Sequence, residues 1–122
     1  MTKKVLIVDD DQIIYSVIEA TLKQAGYSTL IASNGMEAKQ ILEQTKPDLM
    51  TLDINMPELS GLQLLEMMRP TEYLDGVKII LVSGQPVDEL IDVIVSGADW
   101  VFEKPLKPEQ LVKKVAELIG AA

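Results

Sequence analysis

The sequence contains no cysteine and no histidine. The first absence excludes disulfides, thiol nucleophiles and cysteine-bound metals. The second excludes a Ser-His-Asp triad, histidine-ligated zinc and any role as a phosphohistidine carrier. Arginine occurs once, at Arg69, and the formal net charge is −8. Phosphate backbones demand basic patches, so direct nucleic-acid binding by this chain is not expected. No apolar run is long enough to span a bilayer, and the short run Val5–Val8 is no core for a secretory signal. The expectation is a cytoplasmic chain with no membrane contact. Glycine-rich phosphate loops of the GxGxxG or Walker type, internal repeats and low-complexity tracts are also missing from the sequence.

What is present is a chain of 122 residues, 48% of them apolar. That suits one domain, residues 1–122, with a real core. Short β-branched or apolar runs recur at Lys4–Val8, Thr29–Ala32, Leu49–Leu52, Lys78–Val82 and Trp100–Phe102. Continuous runs of this length suit strands buried on both faces. Helical spacing lies between them. Ile14, Val17/Ile18, Thr21/Leu22 and Ala25 predict a first helix stopped by Gly26. Asn34-Gly35 opens a second, through about Gln44, and Gly61 to about Met68 forms a third. Val87, Leu90/Ile91, Ile94/Val95 and Ala98 mark a fourth, and Pro108 opens a fifth carrying Leu111/Val112, Val115 and Leu118/Ile119. Strand and helix alternate five times, which predicts an α/β fold: a parallel sheet with helices on both faces. Ligands of such sheets bind beyond the carboxyl ends of the strands.

The predicted strand ends carry the chemistry. The first is followed by Asp9-Asp10-Asp11, the third by Asp53, the fourth by Ser83-Gly84 and the fifth by Lys104-Pro105. If strands one and three are neighbours, Asp9, Asp10 and Asp53 converge. Carboxylates that converge either take up protons or bind a cation. An oxygen-only set in an open site suits a hard ion such as Mg²⁺. Asp11, just ahead of the first helix, reads as its cap rather than as a ligand. A carboxylate nucleophile, a cation, a lysine and a hydroxyl together suit phosphoryl transfer.

These segments resemble one known family. VLIVDDD at Val5–Asp11, PDLMTLDINMPELSGLQLL at Pro47–Leu65, IILVSG at Ile79–Gly84 and GADWVFEKP at Gly97–Pro105 are similar to the receiver domains of bacterial two-component response regulators, over essentially the whole chain. The resemblance implies a flavodoxin-like (βα)5 three-layer sandwich with five parallel strands in the order 2-1-3-4-5. It implies that Asp53 accepts a phosphoryl group from a phosphohistidine on a sensor histidine kinase or histidine phosphotransfer protein. Asp10 matches the direct metal ligand, Asp9 the second acid, and Asn55 the residue whose carbonyl completes a Mg²⁺ (or Mn²⁺) site. Ser83 and Gly84 match the groups that contact the phosphoryl oxygens, and Lys104 the lysine that pairs with one. The Lys104-Pro105 bond is expected to be cis. The implied role is regulatory rather than that of an enzyme with external substrates. The output, to an effector protein or an output domain, is expected through the face formed by the fourth helix, fifth strand and fifth helix, also a possible dimer surface.

Departures from the family pattern are visible. Val101 occupies the usually aromatic switch position, with Trp100 beside it, and Val93 extends the same face. Gly84 stands where alanine is common, Glu103 replaces an apolar residue, and Arg69-Pro70 cuts the third helix short. The alternatives are a phosphorylation-independent binding module, a haloacid-dehalogenase-type phosphatase and a flavodoxin-like cofactor binder. Asn55, in place of a second aspartate, argues against the phosphatase.

Overall fold

A computed structural model of the chain describes residues 2–54, 61–68, 74–86, 88, 91 and 97–122. The five apolar runs form β1 (Lys4–Val8), β2 (Ser28–Ala32), β3 (Leu49–Asp53), β4 (Lys78–Ser83) and β5 (Trp100–Glu103). All pair in parallel, in the order β2-β1-β3-β4-β5. Helices α1 (Gln12–Gln24), α2 (Gly35–Gln44) and α3 (Gly61–Met68) follow the first three strands, and a C-terminal helix spans Pro108–Ile119. The predicted fourth helix, with Val93, falls largely outside the described residues, as do Arg69 and Pro70.

Alternation along the strands sorts the core into two layers. Leu6, Val8, Met50, Leu52 and Leu81 meet Ala38 and Leu42 of α2 and Leu64 and Leu65 of α3. Val5, Ile7, Leu49, Ile80 and Val82 meet Ile18 and Leu22 of α1 and Leu111 and Val115 of the C-terminal helix. The result is the expected three-layer sandwich. The expectation that every strand is buried on both faces needs correction. It holds for β1, β3 and β4 but not for β2 or β5, which are partly exposed along their lengths. Those two are the sheet edges, where the missing neighbour lets water reach the strand.

Helix starts follow from local chemistry. Asp11 caps α1, its carboxylate accepting from the Ile13 and Ile14 amides. Asn34 caps α2 by accepting from the Glu37 amide at 2.8 Å, while the Glu37 carboxylate reaches back to the Ser33 amide and hydroxyl. Those Ser33 hydrogen bonds hold the Glu37 carboxyl below its usual range. At the far end of the sheet the Tyr27 hydroxyl donates to the Gly120 carbonyl and the Lys3 ammonium to that of Ile119. Gly120 has φ 87°, and a Cβ there would meet Lys3 Nζ at 2.9 Å.

Candidate functional site

Parallel pairing brings the carboxyl ends of all five strands to one edge. Val8 pairs with Leu52, so Asp9, just past β1, and Asp53, the last residue of β3, lie at the same level of the sheet. Asp9, Asp10 and Asp53 each offer an oxygen within 4.8 Å of the others. Lys104, just past β5, places its Nζ 3.6 Å from Asp9 Oδ2 and 3.7 Å from Asp53 Oδ2. Asp9 is 1% exposed and Asp53 is buried, whereas Asp10 is open to solvent.

The two oxygens of Asp9 are not equivalent. Oδ1 accepts from the Asp11 amide at 2.9 Å. Oδ2 is buried with no hydrogen-bond partner, since the lysine contact at 3.6 Å is an ion pair beyond hydrogen-bond range. Burial pushes the Asp9 carboxyl above its usual pKa. The Asp11 amide and the Lys104 ammonium pull against that shift, and Asp10 and Asp11 add to it. Three converging carboxylates, one with an unsatisfied buried oxygen, and a single neighbouring ammonium fit a hard divalent cation.

A prediction follows from this imbalance. A raised folded-state pKa means that the protonated carboxyl suits the fold. Its stabilising contribution is present below the unfolded value and is lost as pH rises through the folded one. In cation-free buffer at neutral pH, Asp9→Asn is therefore expected to raise Tm. Its amide oxygen can still accept from the Asp11 amide. Added Mg²⁺ should stabilise the variant far less than the original chain. Thermal melts with and without the cation check both statements, and an unchanged Mg²⁺ response would contradict them.

The remaining expected residues divide cleanly. Ser83 ends β4, buried, with its hydroxyl oxygen accepting from the Gln85 amide at 3.0 Å. The backbone N–H of Lys104 donates to the Ser83 carbonyl at 2.8 Å, tying the loop after β5 to β4. The Lys104-Pro105 bond is cis. Gly84 is exposed, and a Cβ added there would meet nothing within 4 Å. Asn55 and Val93 lie outside the described residues. Val101 is half-buried against the layer formed with α2 and α3. Trp100 is 44% exposed, its ring covered by the Lys114 ammonium 3.6 Å from the centroid. Glu103 faces solvent.

One feature escapes the helical spacing. Val17, in the predicted core stripe of α1, is exposed, and Ile13 beside it is 77% exposed. With Ile14 and Ile18 they line a groove of about 460 Å³ whose other wall is Lys104, Pro105 and Leu106. Only the packing of α1 against that loop reveals it; periodicity cannot separate a stripe's centre from its rim.

Among the described residues, no helix is long and apolar enough to cross a membrane. A family model described as the response regulator receiver domain matches residues 5–116. The alkaline phosphatase synthesis transcriptional regulatory protein PhoP of Bacillus subtilis (strain 168) is 29% identical over 98% of this chain. That match covers 49% of PhoP, and the chain spans about half the length of the curated relatives it matches. The chemotaxis response regulator CheY4 of Vibrio cholerae superposes with a TM-score of 0.91 at 27% identity, covering 97% of this chain and 99% of that one. A response regulator signal receiver domain from Bermanella marisrubri gives 0.87 at 35% identity, covering 98% and 99%.

Proposed function

The chain belongs to the family of response regulator receiver domains, and from that premise we propose that Asp53 is its phosphoacceptor, served by a divalent cation and Lys104. The supporting observation is the buried Asp53 carboxylate, flanked within 4.8 Å by Asp9 and Asp10 and at 3.7 Å by the Lys104 ammonium. Residues 1–122 act as one receiver domain of a two-component system in the cytoplasm.

The donor is a phosphohistidine on a sensor kinase or a phosphotransfer protein. An Asp53 oxygen attacks phosphorus, the new P–O bond forms as the P–N bond breaks, and the imidazole leaves and takes up a proton. Lys104 sits beside both Asp53 and Asp9 and stabilises charge on the phosphoryl oxygens. Asp9, Asp10, Asp53 and the Asn55 carbonyl would hold Mg²⁺, or Mn²⁺ in its place. When bound, the cation supplies positive charge where a carboxylate meets an anionic donor. Ser83 gives up its bond to the Gln85 amide and turns to the phosphoryl group, joined by the Gly84 amide. Water later cleaves the acyl phosphate, so the domain is a regulated acceptor and not an enzyme acting on external substrates. The state of the Ser83 loop biases a surface that includes Trp100 and Val101, read by an effector protein, an output domain or a second copy.

The groove beside Lys104 suits the protein donor, because it places apolar contact next to the acceptor. Ile13→Asp should therefore slow transfer from a phosphorylated histidine protein about tenfold while leaving uptake from acetyl phosphate unchanged, one methylene-rich contact being worth about 1–2 kcal/mol. Equal loss with both donors would show damage to the site itself.

Intact mass after incubation with acetyl phosphate tests the central reading. One phosphoryl adduct with Mg²⁺ and none with EDTA are expected. No adduct from acetyl phosphate or from phosphohistidine donors would leave the fold as a binding module.

A further inference from the structure

Asp11 is tied both to the first turn of α1 and to Asp9. Four hydrogen bonds fix it. Its carboxylate accepts from the Ile13 amide at 2.9 Å and the Ile14 amide at 3.4 Å, and its carbonyl accepts from the Tyr15 amide at 3.0 Å. Its own amide donates to Asp9 Oδ1 at 2.9 Å. The residue is extended, at φ −89° and ψ 110°, the conformation of a helix cap. The cap thus sets the plane of the peptide that holds Asp9. With Oδ1 engaged, Oδ2 is the oxygen left facing Lys104 and the acidic cleft, and it is the buried atom without a hydrogen bond. Residues behind a ligand orient it and tune its affinity for metal.

We propose that Asp11 is a positioning residue of the cation site, and that its capped amide presents Asp9 Oδ2 to the ion. The inference rests on the reading that Asp9, Asp10 and Asp53 hold a divalent cation. It assigns Asp11 no direct contact with the ion, since its Oδ1 is spent on the first turn of α1 and the converging carboxylates are those of Asp9, Asp10 and Asp53. The first turn of that helix and the acidic cleft are then one unit, and loosening the cap loosens Asp9.

The test compares the full chain with Asp11→Ala and Asp11→Asn by Mg²⁺ titration in a calorimeter, with thermal melts in EDTA alongside. Alanine removes the cap, whereas asparagine keeps a capping oxygen and loses only a solvent-screened charge. Asp11→Ala is expected to bind Mg²⁺ about tenfold more weakly, and Asp11→Asn within about twofold of the original chain. Phosphoryl uptake by Asp11→Ala should return to the original rate once Mg²⁺ saturates. A lowered Tm with unchanged Mg²⁺ affinity in Asp11→Ala would reduce Asp11 to a cap and overturn the proposal. Equal weakening in both variants would overturn it differently, by showing that charge and not geometry matters. If the unsubstituted chain itself shows no saturable Mg²⁺ binding, the cation reading fails and the proposal with it.

Discussion

Asp53→Asn is expected to take up no phosphoryl group from any donor while keeping its fold. An amide has no anionic oxygen to attack phosphorus, and among the described residues no other acceptor has the same placement. Asp9 is turned by the Asp11 amide and spends one oxygen there, and Asp10 is exposed at the rim. The substitution is nearly isosteric, so β3 keeps its buried pairing with β1 and β4. One carboxylate fewer beside the unsatisfied Asp9 oxygen lowers repulsion, so Tm in EDTA should not fall. Intact mass and a melt check the two halves separately. A persistent adduct on the folded variant would move the acceptor elsewhere.

Lys104→Ala is expected to slow phosphoryl uptake by about 10²–10³-fold, the usual effect of removing one fixed group that stabilises transition-state charge. It should also destabilise the cation-free protein. The ammonium stands between Asp9 Oδ2 and Asp53 Oδ2, and without it two buried carboxylates face each other. Breaking a fully buried pair costs about 3–5 kcal/mol. The lysine side chain is 24% exposed, so water softens the loss to about 1–3 kcal/mol. Mg²⁺ should restore much of the stability, because it neutralises the same carboxylates, but not the rate, because it does not replace a donor at that position. Lys104→Arg separates the two effects: its charge keeps Tm, and its planar fork misplaces the donor and leaves the rate low. Stopped uptake assays and melts read both; an unchanged rate in Lys104→Ala would remove the lysine from the chemistry.

Much of this architecture is legible in the sequence for a simple reason. The central strands are buried on both faces, so Val5–Val8, Leu49–Leu52 and Ile79–Val82 stand out as runs that are apolar but for Thr51. The parallel alternation then places Asp9, Asp53, Ser83 and Lys104 at one edge before any coordinates are considered. The edge strands are less legible, because β2 and β5 owe their exposure to a neighbour they lack, which no local pattern records. Asp11 is readable as a cap from its position, but the bond from its amide to Asp9 depends on how β1 turns into α1. The exposed Val17 looks like core by spacing, and it forms a groove wall with Ile13 only once the loop from Lys104 to Leu106 is in place. The Asp9 oxygen left without a hydrogen bond is likewise a product of packing, not of composition.

The most direct measurement is to reduce the freshly phosphorylated chain with borohydride and locate the product by tandem mass spectrometry. An acyl phosphate is reduced to the alcohol, so the account predicts homoserine at position 53, appearing only when Mg²⁺ and a phosphodonor are both present. Homoserine at position 9 or 10 instead, or an adduct that resists borohydride altogether, would contradict it.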